Sequence, residues 1–437
     1  MKQLLKYIND NVLLKVASLN SVSVFVRIVA GFATSKAIAV FVGAEGMAFI
    51  GNLRNFVSAI QAFSILGLYN GLVKYIAEFK TQTVALSKVL STAFYAGFIA
   101  TILVSFGCYY QAQAINDYLF SSRFDYAYII RIMAIALPFY ALNMFTFSIL
   151  NGFSKFRALI VINIIGQIFG ASLTVYLIWE SKIDGALLSV VITESLLFFI
   201  TLVGIVNQRS LLPLIQVKRI SLTYIKGFSS YSLMALFSAI VLPLVALAIR
   251  SYIIENEGLK DAGYWEGMTR ISKYYLMFVS TLLTLYILPR FSEIDTIKEF
   301  RAEVFSFYKT IMPVFAAGLV LIYLLRSFIV KLIFTAEFTP VEELFFWQLS
   351  GDFIKVLSIV IAYQFLAKKM FWHYIITEAF SVLVLYLTSV YFIDMYGVKG
   401  AVIAHFVNYV LYFGIILLIF YSSLFGVIPE NEFDKED

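Results

Sequence analysis

The chain has little of what a water-soluble protein needs. Only 14% of its 437 residues are charged and 61% are apolar, against about 25% and about 45–50% in soluble domains. Mean hydropathy is +0.88, so there is too little polar surface to cover a soluble fold of this length. Cysteine occurs once, at Cys108, which excludes an internal disulfide. Histidine occurs twice, at His373 and His405, so no zinc motif can be assembled and no metal site is expected. The seven prolines are scattered, which leaves no room for collagen or a proline-rich linker. The polar start of the chain, residues 1–15, carries no cleavable signal pattern.

What is abundant is long apolar runs. A bilayer-spanning helix needs about 20 mostly apolar residues. Twelve windows qualify, at 16–42, 47–73, 89–110, 127–151, 158–179, 185–207, 227–254, 262–289, 304–325, 344–367, 371–393 and 400–424. The expected class is an all-α polytopic membrane protein with twelve transmembrane helices. Its longest connections, 208–226, 290–303 and 326–343, are too short for an extramembrane domain. Any work must therefore be done inside the helical bundle.

Lys and Arg set orientation, because cytoplasmic loops hold an excess of them. Of 33 such residues, nineteen fall on the side of the N-terminus, six on the other and eight within the windows. Both termini are expected in the cytoplasm. The net charge of +6 is thus largely a topology signal, and nucleic acid is not an expected partner.

Landmarks recur at offsets of 215–216 residues. Gly51-Asn-Leu-Arg54 matches Gly267-Met-Thr-Arg270, Lys74 matches Arg290, and Gly185-Ala186 matches Gly400-Ala401. Six spans per half is an even number, so both halves run the same way through the membrane. This predicts two six-helix lobes related by a pseudo-two-fold along the membrane normal, as in transporters with parallel repeats. The expected division is an N-terminal lobe at 1–207, a cytoplasmic linker at 208–226, a C-terminal lobe at 227–424 and an acidic cytoplasmic tail at 425–437. Two such lobes leave a cleft that can open to either side in turn.

The eight basic residues within spans are Arg27, Lys36, Arg54, Arg131, Arg250, Arg270, Lys273 and Lys355; the acids there are Glu194, Glu266, Asp352 and Glu378. Each such charge costs about 2.5–3.5 kcal/mol to insert, so each should face a partner or a wet cleft. The surplus makes the interior cationic and suited to an anionic substrate; a guanidinium fork fits a diphosphate. Other readings stay open. Lys36, Arg131 and Arg250 can snorkel to the outer interface. Asp352 and Lys355, three apart on one helix face, can neutralise each other, and Lys273 can pair with Glu266. Glu194 and Glu378 can bond neighbouring helices or bind a coupling ion, as can Asp352. Arg27 and Arg54 have no acid within a turn on their own helix, which favours a cavity role. Trp265 and Trp347, near the outer ends of charged spans, are belt residues or sugar-stacking platforms.

Several segments resemble Wzx-type flippases of lipid-linked O-antigen and enterobacterial common antigen units. They are Gly51-Asn-Leu-Arg-Asn-Phe56, Gly67-Leu-Tyr-Asn-Gly-Leu-Val-Lys-Tyr75, Ser232-Leu-Met-Ala-Leu236, Tyr264-Trp-Glu-Gly267, Leu288-Pro-Arg290 and the run 347–356 from Trp347 to Val356. The resemblance runs from about residue 12 to about residue 420 and places the chain in the multidrug/oligosaccharidyl-lipid/polysaccharide exporter superfamily. It implies transfer of an undecaprenyl-diphosphate-linked oligosaccharide from the cytoplasmic to the periplasmic leaflet of a bacterial inner membrane. Arg27, Lys36, Arg54, Arg131, Arg250, Lys355 and Asp352 resemble family positions; Arg270 and Lys273 are less typical of the family. No cofactor is implied beyond coupling to a proton or sodium gradient, and membrane lipid and other polysaccharide assembly proteins are implied as partners. Two other functions stand beside this one. A cation-coupled drug exporter would favour an acidic cavity, and here bases outnumber acids two to one within the spans. A polysaccharide polymerase or ligase would need a sizeable outer loop with a clustered acid/base set, and the outer connections are short.

Overall fold

A computed structural model describes residues 12–205 and 213–426. The first eleven residues, residues 206–212 with the start of the expected linker, and the acidic tail from 427 onward lie outside the described residues. Among the described residues there are helices and turns and no strand, as an apolar chain requires when its backbone polar groups must be satisfied internally in lipid.

In chain order the helices are α1 (Val12–Phe41), α2 (Gly43–Ser64), α3 (Leu68–Phe79), α4 (Thr83–Tyr110), α5 (Ala112–Phe120), α6 (Ala127–Gly152) and α7 (Phe156–Ile205). After the connection come α8 (Leu222–Asn256), α9 (Leu259–Leu282), α10 (Leu288–Glu293), α11 (Ile297–Leu324), α12 (Arg326–Ile333), α13 (Phe345–Ala367), α14 (Phe371–Tyr396), α15 (Val398–Ile419) and α16 (Tyr421–Phe425). Among the described residues ten helical stretches are long and apolar enough to cross a membrane, so the protein is a multi-pass membrane protein.

That count differs from the twelve windows for two local reasons. The fifth and sixth windows fall on α7, whose 50 residues are interrupted at Lys182 by non-helical angles (φ 48°, ψ −117°). The second window is split where α2 stops at Ser64 and the chain turns through Gly67 (φ 61°) into α3. A break inside lipid frees backbone carbonyls, and here the Thr101 hydroxyl of α4 donates to the Ser64 carbonyl at 3.0 Å. Helix α9 is modified less, by a π-helical turn over Leu283–Ile287 before α10.

The backbone repeats more exactingly than the residue types do. Positive φ angles occur at Gly43 and Gly258, at Ser154 and Lys369, and at Lys182 and Gly397. In each pair the two residue numbers differ by 215. The first pair opens α2 and α9, and the third precedes the second arm of α7 and α15. Short helices α5 and α12 likewise follow the long helices α4 and α11. At Gly185 an added Cβ would lie 1.8 Å from the Leu177 carbonyl oxygen, and at Gly400 it would lie 2.0 Å from the Phe392 carbonyl oxygen. Each glycine lets a helix press against the backbone of the helix before it.

The chain divides into two compact units, 1–42 with 49–244, and 43–48 with 245–437. In the first, Leu72 and Ile76 of α3 pack on Leu86, Val89 and Leu90 of α4, with Phe145 and Ile149 of α6 against them. The end of the connection is tied along α4. The Ser87 and Ser91 hydroxyls donate to the Leu214 carbonyl, and Thr92 Oγ1 accepts from the Ser221 amide at 3.0 Å. The second unit is centred on Phe291, Phe300, Phe365 and Phe420, whose rings lie 5.1–5.7 Å apart in successive contacts. Helix α11 begins with an N-cap, in which the Thr296 hydroxyl accepts the Glu299 amide at 3.3 Å.

Candidate functional site

Each unit carries polar side chains within its spans, and each charged cluster is assembled from several helices.

In the first unit, Arg27 of α1 and Arg54 of α2 both lie within electrostatic reach of Glu194 on the second arm of α7. Gln61 of α2 hydrogen-bonds Glu194, and Tyr140 of α6 lies within reach of it. Gln61 is two turns from Arg54, on the same helix face. Two guanidiniums thus share one carboxylate, leaving a surplus of one positive charge. Both arginines are half-buried and Glu194 is exposed. Among the described residues, the buried Nε of Arg27 has no hydrogen-bond partner. A buried, unsatisfied charged donor is costly unless a further acceptor arrives. The cluster therefore offers positive charge and a free donor to an anion.

In the second unit, Glu266 of α9 accepts from Arg250 of α8 at 2.6 Å and from Arg270 at 3.1 Å, and all three are at most 2% exposed. Arg250 lies over the Trp265 ring, 5.1 Å from its centroid. Arg250 therefore ends in a buried ion triad and not at an interface, and one face of Trp265 is occupied by a guanidinium. Glu266, which the sequence offers as one partner for Lys273, is engaged by Arg250 and Arg270, and Lys273 is exposed.

A second polar spine joins α9, α13, α14 and α15. Gln348, Asp352 and Lys355 share one face of α13, spaced four and three apart, and His405, Tyr409 and Tyr412 do the same on α15. Asp352 is fully buried. Its Oδ2 accepts from Ser272 at 2.6 Å, from Gln348 at 3.1 Å and from the Tyr275 hydroxyl. Its Oδ1 lies 2.9 Å from His405 Nε2. Lys355 sits 5.1 Å from the centre of the Tyr409 ring and within electrostatic reach of Asp352 and Glu378. Glu378 of α14 in turn accepts from Tyr412 at 3.5 Å. Asp352 thus has a wider set of partners than the neighbouring Lys355 considered from sequence.

The remaining candidates lie as follows. Lys36 is half-buried late in α1, and Arg131 is exposed one turn into α6. Trp347 is half-buried, its ring against Phe346 at 5.3 Å and Phe406 at 5.4 Å. Sequence reasoning missed Gln61, Tyr140, Ser272, Tyr275, Gln348, His405 and Tyr409. The signal for three of them, Gln348, His405 and Tyr409, was the helical spacing around Asp352 on α13 and around Tyr409 on α15; His405 enters the sequence reading only as a zinc ligand. Among the described residues no group of three or more His, Cys, Asp or Glu side chains could hold a metal.

These features define a multi-pass helical protein with charged clusters within its spans, and its fold is that of known membrane transporters. It superposes on a structure titled as the inward-facing conformation of a multidrug resistance MATE family transporter of the MOP superfamily, with TM-score 0.71 at 12% identity over 91% of this chain and 95% of that one. It superposes on a lipid II flippase MurJ structure, in an inward closed conformation, with TM-score 0.72 at 15% identity over 93% and 87%. Residues 41–343 match the family described as polysaccharide biosynthesis protein, and the chain belongs to that family. It is 27% identical over 407 residues to a protein named lipid III flippase from Escherichia coli (strain K12), covering 92% of this chain and 97% of that protein. The lipid III flippase of Shigella flexneri aligns to the same extent.

Proposed function

We propose that the chain is a flippase, a transporter and not an enzyme, that moves a lipid-linked oligosaccharide across a bacterial inner membrane. The observation that carries this reading is the end-to-end alignment with proteins named lipid III flippase, across 92% of this chain. The substrate is an undecaprenyl-diphosphate-linked unit of a surface polysaccharide such as O-antigen. It passes from the cytoplasmic to the periplasmic leaflet by alternating access through a cationic cavity, and other polysaccharide assembly proteins supply and consume it.

Chemistry supports this reading. A diphosphate head needs positive charge and several N–H donors, and Arg27 and Arg54 supply both around a single Glu194. The polyprenyl tail can stay in lipid throughout. Orientation follows from the Lys and Arg asymmetry, nineteen against six, which puts the richer set of connections in the cytoplasm. A transmembrane proton or sodium gradient supplies the driving force.

The test is depletion of the protein in its own host, with the leaflet of lipid-linked oligosaccharide assayed by an impermeant probe of the glycan. Accumulation on the cytoplasmic leaflet supports the proposal. Unchanged distribution together with a new sensitivity to cationic drugs would replace it with a drug-export function.

A further inference from the structure

The hydrogen-bond logic around Asp352 determines the protonation of His405. Oδ2 of Asp352 is saturated by three donors, from Ser272, Tyr275 and Gln348. Gln348 therefore turns its amide nitrogen, not its oxygen, toward the carboxylate. The same nitrogen lies 3.2 Å from His405 Nε2. His405 Nε2 lies 2.9 Å from Oδ1, an acceptor, so Nε2 must carry hydrogen to make that contact favourable. The neutral ring is then the Nε2–H tautomer, and its lone pair sits on Nδ1. Among the described residues no hydrogen-bond partner reaches Nδ1. The His405 side chain is 17% exposed while Asp352 is 0% exposed, so of the two groups the ring is the one that reaches the surface of the helical bundle.

The close approach is built into the backbone. Gly351 lies opposite His405, and a Cβ there would stand 2.5 Å from the ring's Cδ2 and 3.1 Å from the Phe406 Cα. The groups facing the pair from each neighbouring helix are few. Helix α9 contributes Ser272 and Tyr275, and α13 contributes Gln348 and Lys355. On α15 the Tyr409 ring stands edge-on to His405 at 4.9 Å. Helix α14 contributes Glu378, through Lys355 and Tyr412. Of the acids in the turn before α13, Glu337 lies beside Gly43, Glu342 accepts from Ser327, and Glu343 is exposed.

We propose that Asp352 and His405 form a proton-binding site in the second unit, loaded at Nδ1 of His405, through which the transfer step is coupled to the proton gradient. The coupling rests on the flippase function above; the proton site itself does not. One proton from the gradient bonds to the Nδ1 lone pair, and the neutral imidazole becomes an imidazolium paired with the Asp352 carboxylate. The pair changes from a net −1 to zero, and release reverses the step. Loading removes one net negative charge from the cluster of Asp352, Lys355 and Glu378, and less net charge is cheaper to enclose in low dielectric, so loading favours any state that seals the site. Sodium is a poor occupant. The carboxylate oxygens already receive hydrogens, and Gln348 presents a donor where a cation needs a lone pair.

The experiment uses the full chain in lipid nanodiscs, labelled with 15N-histidine. Only His373 and His405 report, and His373→Gln assigns them. Expected are an Nε2–H signal for neutral His405 and proton uptake at Nδ1 on acidification, with the same curve in sodium and potassium buffers of equal ionic strength. Asp352→Asn should weaken proton binding at His405 by about tenfold or more, because the paired charge is gone, and leave His373 unchanged. An Nδ1–H tautomer, no effect of Asp352→Asn on a folded variant, or displacement of the proton by sodium overturns the site.

A second arm measures transfer of a fluorescent undecaprenyl-diphosphate oligosaccharide in proteoliposomes with and without a pH gradient. The wild type should accelerate under the gradient, and His405→Gln with an unaltered melting profile should lose that response. Equal acceleration of both, or transfer by the wild type without acceleration, overturns the coupling. Absence of any transfer by the wild type defeats the flippase function, while the labelling arm still decides the proton site.

Discussion

At the scale of single residues, the membrane-embedded charges divide into those that hold the protein together and those that remain open to a ligand. Arg250, Glu266 and Arg270 belong to the first kind, since all three are almost fully buried and joined by short contacts. Removing one partner of a buried pair strands a charge and costs about 3–5 kcal/mol. Glu266→Gln leaves two buried guanidiniums without their carboxylate. It is expected to lose at least that much, read as a large fall in melting temperature of the detergent-solubilised protein. Arg250→Met should cost less, because Glu266 and Arg270 keep their contact four residues apart on α9. The reverse order of the two variants would show that the triad contributes nothing specific. Half of this arrangement was legible in the sequence. The spacing of Glu266 and Arg270 is a helical neighbour pair, but Arg250 arrives from α8, and no local pattern announces a partner on another helix. Asp352 shows the same limit. Its neighbours Gln348 and Lys355 could be read from α13 alone, and the polar face of His405 and Tyr409 from α15 alone, while the contacts of Ser272, Tyr275 and His405 with Asp352 came into view only with the fold.

At the scale of elements, apolar length was read well from sequence and breaks were read poorly. Apolar windows identify where lipid-compatible helix exists, but they are blind to a turn made by one residue in an unusual backbone state. Lys182 is such a residue, and its counterpart 215 positions later is Gly397, which adopts φ 61° without a Cβ to strain it. Lys182→Gly should therefore stabilise the first unit, because relief of about 1–3 kcal/mol of backbone strain exceeds the roughly 0.4–1 kcal/mol that a glycine costs through the unfolded chain. A rise of a few degrees in melting temperature is the expected readout; a fall would mean that the Lys182 side chain contributes more than its backbone angle costs. Gly185 makes the opposite case, since its Cβ would sit 1.8 Å from a backbone oxygen. Gly185→Ala is expected to force the two arms of α7 apart and lower yield and melting temperature together, and Gly400→Ala should do the same in the second unit. The motif Gly-Ala at 185 and 400 was visible as a repeat, although its reason, close contact between consecutive helices, was not.

At the scale of the whole molecule, the distribution of charge separates folding from transport. The arginines of the Arg27, Arg54 and Glu194 cluster are only half-buried, so a ligand can reach them, whereas those of the second unit's triad are at most 2% exposed and lie 2.6 and 3.1 Å from Glu266. Replacement of Arg27 or Arg54 by alanine should consequently leave insertion and melting temperature nearly unchanged, because the lost guanidinium takes with it a desolvation cost comparable to its attraction for Glu194. Transfer should fall at least about tenfold in either variant, since a charge-assisted contact to a phosphate contributes about 1.5–3 kcal/mol. Lysine at either position should restore part of the rate, because it returns the charge without the two-pronged geometry. The measurement is surface polysaccharide per cell at matched protein level, in a strain that lacks the chromosomal copy. Alanine variants that support normal surface polysaccharide would remove these arginines from the transport path. Variants that fail to insert would place them with the triad, as groups that hold the helices together.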